Sequence, residues 1–133
     1  MLRVFPLVVL MMCNFSLAGE LQQALHIDKA LPDNTTLEFP NDNKVLPDHS
    51  GFEVLNYVLM SSEGGERWAV LTIRNPLSGK RIFENNYVMA LLANGERITP
   101  EPVSVVLDSG ETVSVTLNFG IQKFPILQLY GRN

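Results

Sequence analysis

The residues between 112 and 119 alternate between polar and apolar side chains without interruption. The apolar positions are Val113, Val115, Leu117 and Phe119, and the polar positions are Thr112, Ser114, Thr116 and Asn118. Successive side chains of a β-strand point to opposite faces, so this stretch predicts a strand with one buried face and one solvent-facing face. Because a second layer must cover the apolar face, the pattern favours an all-β fold.

Turn sequences separate this strand from other β-rich stretches. Gly64-Gly65, Asn94-Gly95 and the triplet 108–110 each stand between runs of alternating or β-branched residues. Asn94-Gly95 predicts a hairpin with a type I′ turn, in which both residues have positive φ. Residues 87–93 are apolar at nearly every position, which predicts a strand in the middle of a sheet with both sides covered, or in a tight two-sheet core. Together these signals predict an antiparallel β-sandwich of about seven strands.

The chain before residue 51 is less regular. Pro32, Pro40 and Pro47 interrupt any long helix or strand. We predict one strand near residues 35–39 and irregular structure over the rest of the segment 19–50. This segment and the β-rich body at 51–133 are expected to form one domain, because the chain is long enough for one hydrophobic core and too short for two.

Residues 1–18 have the parts of a secretory signal peptide. Arg3 lies near the start, an apolar run follows over residues 4–12, and small residues precede an expected cleavage point after Ala18. The mature protein is therefore predicted to begin at Gly19 and to work in the periplasm or outside the cell.

Two other roles for this leader stay open. A transmembrane anchor needs roughly 20 apolar residues, whereas Pro6 and Asn14 interrupt this run. Residues 10–13 resemble a lipid-attachment box that ends in Cys13, but Met12 is bulky where such a box has a small residue. Cys13 is the only cysteine of the chain, so the mature domain cannot form an internal disulfide. That composition favours a bacterial periplasm over an animal secretion route.

The charge of the chain argues against two classes of partner. The net charge is −4, and no cluster of Lys or Arg occurs after the leader. Binding to nucleic acid depends on clustered positive charge, so we expect no nucleic-acid partner. No basic amphipathic helix is predicted either, so we expect no stable membrane insertion after cleavage.

Three stretches resemble the small immunoglobulin-like modules of bacterial secreted proteins and lipoproteins. They are residues 70–75 with Asn at the end, residues 91–95 with Asn-Gly, and residues 107–111 with Gly-Glu. The resemblance implies an immunoglobulin-like β-sandwich and a binding or scaffolding role. It names no ligand, because this fold carries unrelated functions.

Catalytic and metal-binding residues are hard to find in this sequence. The mature chain has no cysteine and only His26 and His49, and neither lies in a nucleophile motif. Met60 and Met89 could join these histidines as copper ligands, but no two of the four have a short ligand spacing. We therefore predict no enzyme activity, no metal and no cofactor; a pair of carboxylates brought together by the fold stays open.

Aromatic and basic residues supply the candidate partner-binding site. Trp68, Tyr57 and Tyr87 could anchor a protein partner if they share an exposed face. Arg74 and Arg81 lie on either side of a turn and form a small basic spot. The competing interpretation is that Trp68 covers one end of the core, as a single Trp of a β-sandwich often does.

The sequence therefore predicts an exported, non-enzymatic interaction or accessory module of a bacterial cell-envelope assembly. It would bind a protein partner by loops or by a sheet edge, and the strand at 111–118 would suit strand addition if it lies at an edge. One alternative is an inhibitor of a secreted or host hydrolase, with residues 40–50 as the insertion loop. A second alternative is a hydrolase or metal carrier, which requires a cleft with clustered carboxylates, or His26 and His49 brought together. The oligomeric state stays open.

Overall fold

The computed structural model describes residues 24–29, 31–32, 35–40 and 45–132 of the chain. This part is all-β, with no α-helix and one turn of 3-10 helix at Asn85–Tyr87. Its strands are β1 (His26–Ile27), β2 (Glu53–Ser61), β3 (Glu66–Arg74), β4 (Arg81–Glu84), β5 (Val88–Leu92), β6 (Arg97–Ile98), β7 (Ser104–Leu107), β8 (Thr112–Ile121) and β9 (Ile126–Gly131). None of the described segments forms a helix of the length and hydropathy that a membrane crossing requires.

The largest sheet has the strand order β1-β2-β3-β8, and all its pairings are antiparallel. β2 and β3 form the hairpin predicted at Gly64-Gly65, in which the Gly65 N–H donates to the Ser62 carbonyl at 3.1 Å. β3 then pairs along its length with β8, which follows it by about forty residues of chain. β3 is therefore a central strand, with β2 on one side and β8 on the other.

The remaining strands form two smaller antiparallel sheets, β4-β7 and β6-β5-β9. Every residue of β5 is buried, and β5 lies between β6 and β9. The prediction that residues 87–93 contain a central strand is confirmed. The described residues form nine strands, two of which are two residues long, so the expected number of about seven is not confirmed.

One face of the four-stranded sheet packs against residues of the two smaller sheets. On β8 the side chains of Val115, Leu117 and Phe119 are buried, whereas Thr112, Ser114 and Thr116 are exposed. The alternation read from the sequence is confirmed. The buried cluster comprises Phe52, Leu59, Ala69, Leu71, Ile73, Phe83, Val88, Ala90, Leu92, Leu107, Val115, Leu117, Phe119, Ile126 and Leu129.

The hairpin at Asn94-Gly95 is present, but its predicted turn type is wrong. Gly95 has a φ of 89°, whereas Asn94 does not have a positive φ. The Gly95 N–H donates to the Leu92 carbonyl at 2.9 Å, and the Leu92 N–H donates to the Glu96 carbonyl at 2.8 Å. This is a three-residue loop with a left-handed glycine at its end. The Asn94 Oδ1 accepts from the Glu96 N–H at 3.1 Å, so the Asn94 side chain is hydrogen-bonded within this loop.

The strand expected near residues 35–39 is absent, and the strand of the N-terminal segment is β1 instead. The Thr35 N–H donates to the Pro32 carbonyl at 2.9 Å in a local turn, so it is not available for a sheet. Phe39 packs against the hairpin tip, where a Cβ on Gly95 would lie 2.9 Å from the Phe39 ring. The predicted signal peptide lies outside the described residues and stays a prediction.

The turn at 108–110 connects two sheets rather than two paired strands. It leads from β7, which pairs with β4, into β8, which pairs with β3. Asn75, at the end of β3, holds this turn: the Gly110 N–H donates to the Asn75 carbonyl at 2.7 Å, and the Asn75 N–H donates to the Glu111 carbonyl at 2.9 Å. β8 therefore starts at a fixed position relative to β3.

Candidate interaction site

β8 lies at an edge of the four-stranded sheet. Among the described strands it pairs only with β3, and the strand on the far side of the sheet is the short β1. β7 precedes β8 along the chain but pairs with β4 instead. The condition that the sequence analysis set for strand addition, an edge position, is therefore met.

The main-chain groups of β8 alternate between the partner strand and the open edge. Asn118 lies opposite Trp68 of β3, yet its carbonyl accepts from the Glu101 N–H at 2.7 Å, on the side away from β3. In an antiparallel ladder this direction repeats at every second residue. The N–H and C=O groups of Thr112, Ser114 and Thr116 therefore also point to the open edge.

The fold closes this edge at both ends. Beyond Thr116, the Asn118 carbonyl is occupied by Glu101, and the Asn118 Nδ2 donates to the Glu101 carboxylate at 2.9 Å. Before Thr112, the Gly110 N–H is directed to Asn75 and the chain turns away. The open stretch, which we call the edge window, is residues 112–116. It is about 14 Å long at roughly 3.4 Å per residue.

The edge window contains no charged residue and no proline, and the bulge of β8 lies beyond it, opposite residues 66–68. Natural edge strands are blunted by charged residues, proline, bulges or short length. β8 is ten residues long and contains neither a charged residue nor a proline. Pro100, Pro102 and Pro125 lie outside β8. A strand with this composition can accept another strand without charge repulsion.

The outer face of the same sheet carries Trp68. Cross-strand rows place Trp68 between Met60 and Asn118, and Val70 between Val58 and Thr116. The Trp68 Nε1–H lies 3.5 Å from a Glu66 carboxylate oxygen. Trp68 alternates with the buried Ala69, so its side chain is on the solvent side of the sheet and does not close an end of the core.

Tyr57 and Tyr87 lie elsewhere. Both are half-buried and pack against the core cluster. The ring of Tyr87 lies 6.1 Å from that of Phe52 and 6.2 Å from that of Phe83, measured between centroids. The three aromatic residues of the candidate set therefore do not share one face.

The two arginines of the candidate set contact different partners. Arg74 is on β3, on the same face as Trp68, and forms an exposed ion pair with Glu53 at 3.5 Å. Arg81 is on β4 and stacks over the Phe52 ring at 4.8 Å. One nitrogen of Arg81, Nη1, is buried without a hydrogen-bond partner. The two guanidinium groups therefore contact adjacent residues of the chain, Glu53 and Phe52, from two different sheets.

The histidines lie at opposite ends of β2. His26 pairs with Ser61 at the end of that strand, and His49 forms a bridge to Arg132 just before its start. The nine residues of β2 span roughly 30 Å. In the part of the chain that the structure describes, no three His, Cys, Asp or Glu side chains are grouped as a metal site would require.

A polar cluster covers the end of β2 and β3. The Ser61 hydroxyl donates to the Asp28 carboxylate and accepts from the Arg67 Nη1 at 2.7 Å. The Arg67 Nε donates to the Gln122 carbonyl at 3.2 Å. These bonds join β1, β2, β3 and the chain after β8.

One cleft of the described surface is lined by no residue of β8. It has a volume of about 400 Å³ and is lined by Phe39, Pro40, Val45, Asn94, Gly95, Glu96 and Arg97. Nearby, the Tyr130 hydroxyl donates to the Val45 carbonyl at 2.7 Å, which fixes the start of the segment that leads into β2.

The sequence indicated the alternation of side chains along β8, but not which of its residues form the edge window. The signals for the window are the uncharged composition of 112–121 and the position of Asn75, whose role in the turn depends on a long-range contact.

Comparison of the chain with protein-family models, with curated proteins and with solved structures gives no significant match.

Proposed function

We propose that the chain is an exported, non-enzymatic interaction module of a cell-envelope assembly that binds an extended protein segment along the edge of β8. The observation that carries this proposal is the edge window, an uncharged stretch whose main-chain groups point away from the sheet. We also propose that the fold is an immunoglobulin-like β-sandwich. Antiparallel sheets around one core support that assignment.

Strand addition explains how such a surface binds without a pocket. An incoming strand can form hydrogen bonds to the N–H and C=O groups of Thr112, Ser114 and Thr116, and each contributes about 1 kcal/mol net. Side chains at alternate positions of the segment would meet the exposed hydroxyls on one face and the rim of the core on the other. Export is supported by the leader predicted at residues 1–18.

Site-specific photocrosslinking tests this proposal. We expect a benzophenone amino acid at Ser114 to form a discrete protein adduct in the intact envelope, because the edge is occupied there. The matched control is the same group at Ile82 on β4, which is also exposed and lies on another sheet. Equal labelling from both positions, or none from Ser114, would contradict the proposal.

The inhibitor hypothesis has one supporting observation. Val45 and Leu46, in the described part of the 40–50 segment, are 51% and 53% exposed although apolar. Tyr130 anchors this segment, as an inhibitory loop requires. Loss of inhibition of a secreted protease or muramidase on Leu46→Asp would support this second function, and inactivity of the unmodified protein against both enzyme classes would remove it.

A further inference from the structure

We infer that the segment bound at the edge window carries a basic side chain, arginine or lysine, which contacts the Trp68 indole and the Glu66 and Glu101 carboxylates. This inference rests on the proposed function, since it requires that β8 accept an extended segment. It goes further by naming a side chain of that segment and the end of the window at which it lies.

Two carboxylates lie close to the indole of Trp68 on the outer face of the four-stranded sheet. A Glu66 carboxylate oxygen lies 3.5 Å from the indole Nε1. Asn118 lies directly opposite Trp68 in the ladder, and the Asn118 Nδ2 donates to the Glu101 carboxylate at 2.9 Å. Glu101 is exposed, and Trp68 and Glu66 are half-buried, so solvent reaches all three side chains.

These two carboxylates are not neutralised by a cation of the chain. Among the residues that the structure describes, neither Glu66 nor Glu101 forms an ion pair. Arg67, the basic residue next to Glu66 in the sequence, donates instead to the Ser61 hydroxyl and to a main-chain carbonyl. A cation is attracted to the face of an aromatic ring, and tryptophan is the best of these rings. The charge and the ring therefore both favour a basic side chain.

At the other end of the edge window the charged groups already have partners. Arg74, at the end of β3, forms an ion pair with Glu53 at 3.5 Å. The Glu111 carboxylate accepts from a main-chain N–H of its own turn at 3.0 Å. Charge complementarity therefore places the basic residue of the segment at the Glu101 end.

A side chain of the bound segment can reach this position. Glu101 occupies the place beside Asn118, so the segment ends next to it. A residue of the segment opposite Thr116 projects onto the outer face, because directly opposite residues of neighbouring strands share a face. From there, two strand spacings, about 10 Å, separate the segment from β3. The long side chain of arginine or lysine and the indole of Trp68 together span this distance.

Peptide binding followed through Trp68 tests the inference, because Trp68 is the only tryptophan of the chain. The probes are peptides of about nine residues that alternate threonine and valine, with one arginine in place of a threonine near either end. Matched peptides carry citrulline, which is uncharged, or glutamate at the same position. We expect one arginine peptide to bind about five-fold more tightly than its citrulline match and to change the Trp68 fluorescence. The glutamate peptide should bind more weakly than both.

Substitutions identify the contacts, with binding measured by the fluorescence anisotropy of a labelled peptide. We expect Glu101→Gln and Trp68→Leu each to remove most of the preference for arginine over citrulline and to change citrulline binding by less than about two-fold. The matched control is Glu84→Gln, which removes an exposed carboxylate on another sheet and should keep the preference. Circular dichroism of each variant verifies that it is folded.

Three results would overturn the inference. They are equal binding of the arginine and citrulline peptides, a preference for arginine that survives both Glu101→Gln and Trp68→Leu, and binding of none of the peptides. The first two would leave the proposed function standing, because a segment still binds. The third, combined with the absence of a Ser114 adduct in the envelope, would remove both.

Discussion

Asn75 shows how a single side chain can set the position of a strand. It is fully buried, and its Nδ2 lies within hydrogen-bond distance of the carbonyls of Gly79, Leu107 and Asp108, at 2.9, 3.3 and 3.2 Å. Its Oδ1 accepts from the Leu77 N–H at 3.2 Å. The sequence indicated Asn75 only as the end of a strand, because two of its partners, Leu107 and Asp108, lie 32 and 33 residues away.

We expect Asn75→Ala to lower the free energy of unfolding by about 3 kcal/mol, since it leaves buried main-chain groups without partners. Urea denaturation followed by circular dichroism measures this loss. The control is Asn56→Ala on β2, where the side chain is exposed, and we expect a change below about 0.5 kcal/mol. Equal losses for the two variants would show that the buried contacts of Asn75 are not stabilising.

At the scale of the element, the β5–β6 hairpin can be tested with two glycines. Gly95 and Gly79 both have a φ of 89°, but a Cβ would meet the Phe39 ring at Gly95 and nothing within 4 Å at Gly79. Alanine at either position has the cost of a left-handed residue, about 1–2 kcal/mol. We expect Gly95→Ala to cost about 1 kcal/mol more than Gly79→Ala, because Phe39 must move.

Thermal unfolding of both variants measures the difference, and Phe39→Ala combined with Gly95→Ala should remove the excess. If the two single variants unfold at the same temperature, Phe39 does not pack on the hairpin.

Proline substitution tests the edge position of β8. The N–H of Thr116 faces the open edge, whereas every N–H of the central strand β3, including that of Thr72, faces a neighbouring strand. We expect Thr116→Pro to cost less than about 1 kcal/mol and Thr72→Pro at least about 2 kcal/mol. Both residues are threonines of the outer face, so their unfolding midpoints in urea are directly comparable. A larger loss for Thr116→Pro would place β8 inside a sheet.

The elements predicted correctly are those specified by neighbouring residues. Alternation identifies β8, and turn residues identify the hairpins. The pairing of β4 with β7 could not be predicted, since its paired residues lie about 20 to 26 positions apart in the chain and no turn sequence joins the two strands. The error at residues 35–39 has a similar cause: the residues have strand propensity, but no sheet edge receives them.

At the scale of the whole molecule, the alternation of side chains between the two faces of a strand explains why the candidate residues do not form one surface. Trp68 and Arg74 are six residues apart on β3 and share its outer face. Tyr57 lies on the opposite side of β2 because its cross-strand partner is the buried Leu71. The sequence shows which residues are aromatic or basic, but not the sheet to which each belongs. The edge window on β8 is formed by main-chain groups, so no residue type in the sequence marks it.

The leader gives a prediction for the chain as a whole. When the full chain is expressed in a Gram-negative host, we expect mass spectrometry of the periplasmic protein to find Gly19 as the first residue, because the small residues before it fit signal peptidase. The control is Ala18→Arg, which should block cleavage. A retained Met1, or a lipid on Cys13, would contradict this prediction.

Residue-resolved amide hydrogen exchange tests the open edge most directly. In dilute protein, we predict that the amides of Thr112, Ser114 and Thr116 exchange rapidly, while those of Val113, Val115 and Leu117, bonded to β3, are protected. Uniform protection of residues 112–117 in dilute protein would contradict the account, because the edge would already be covered within one chain.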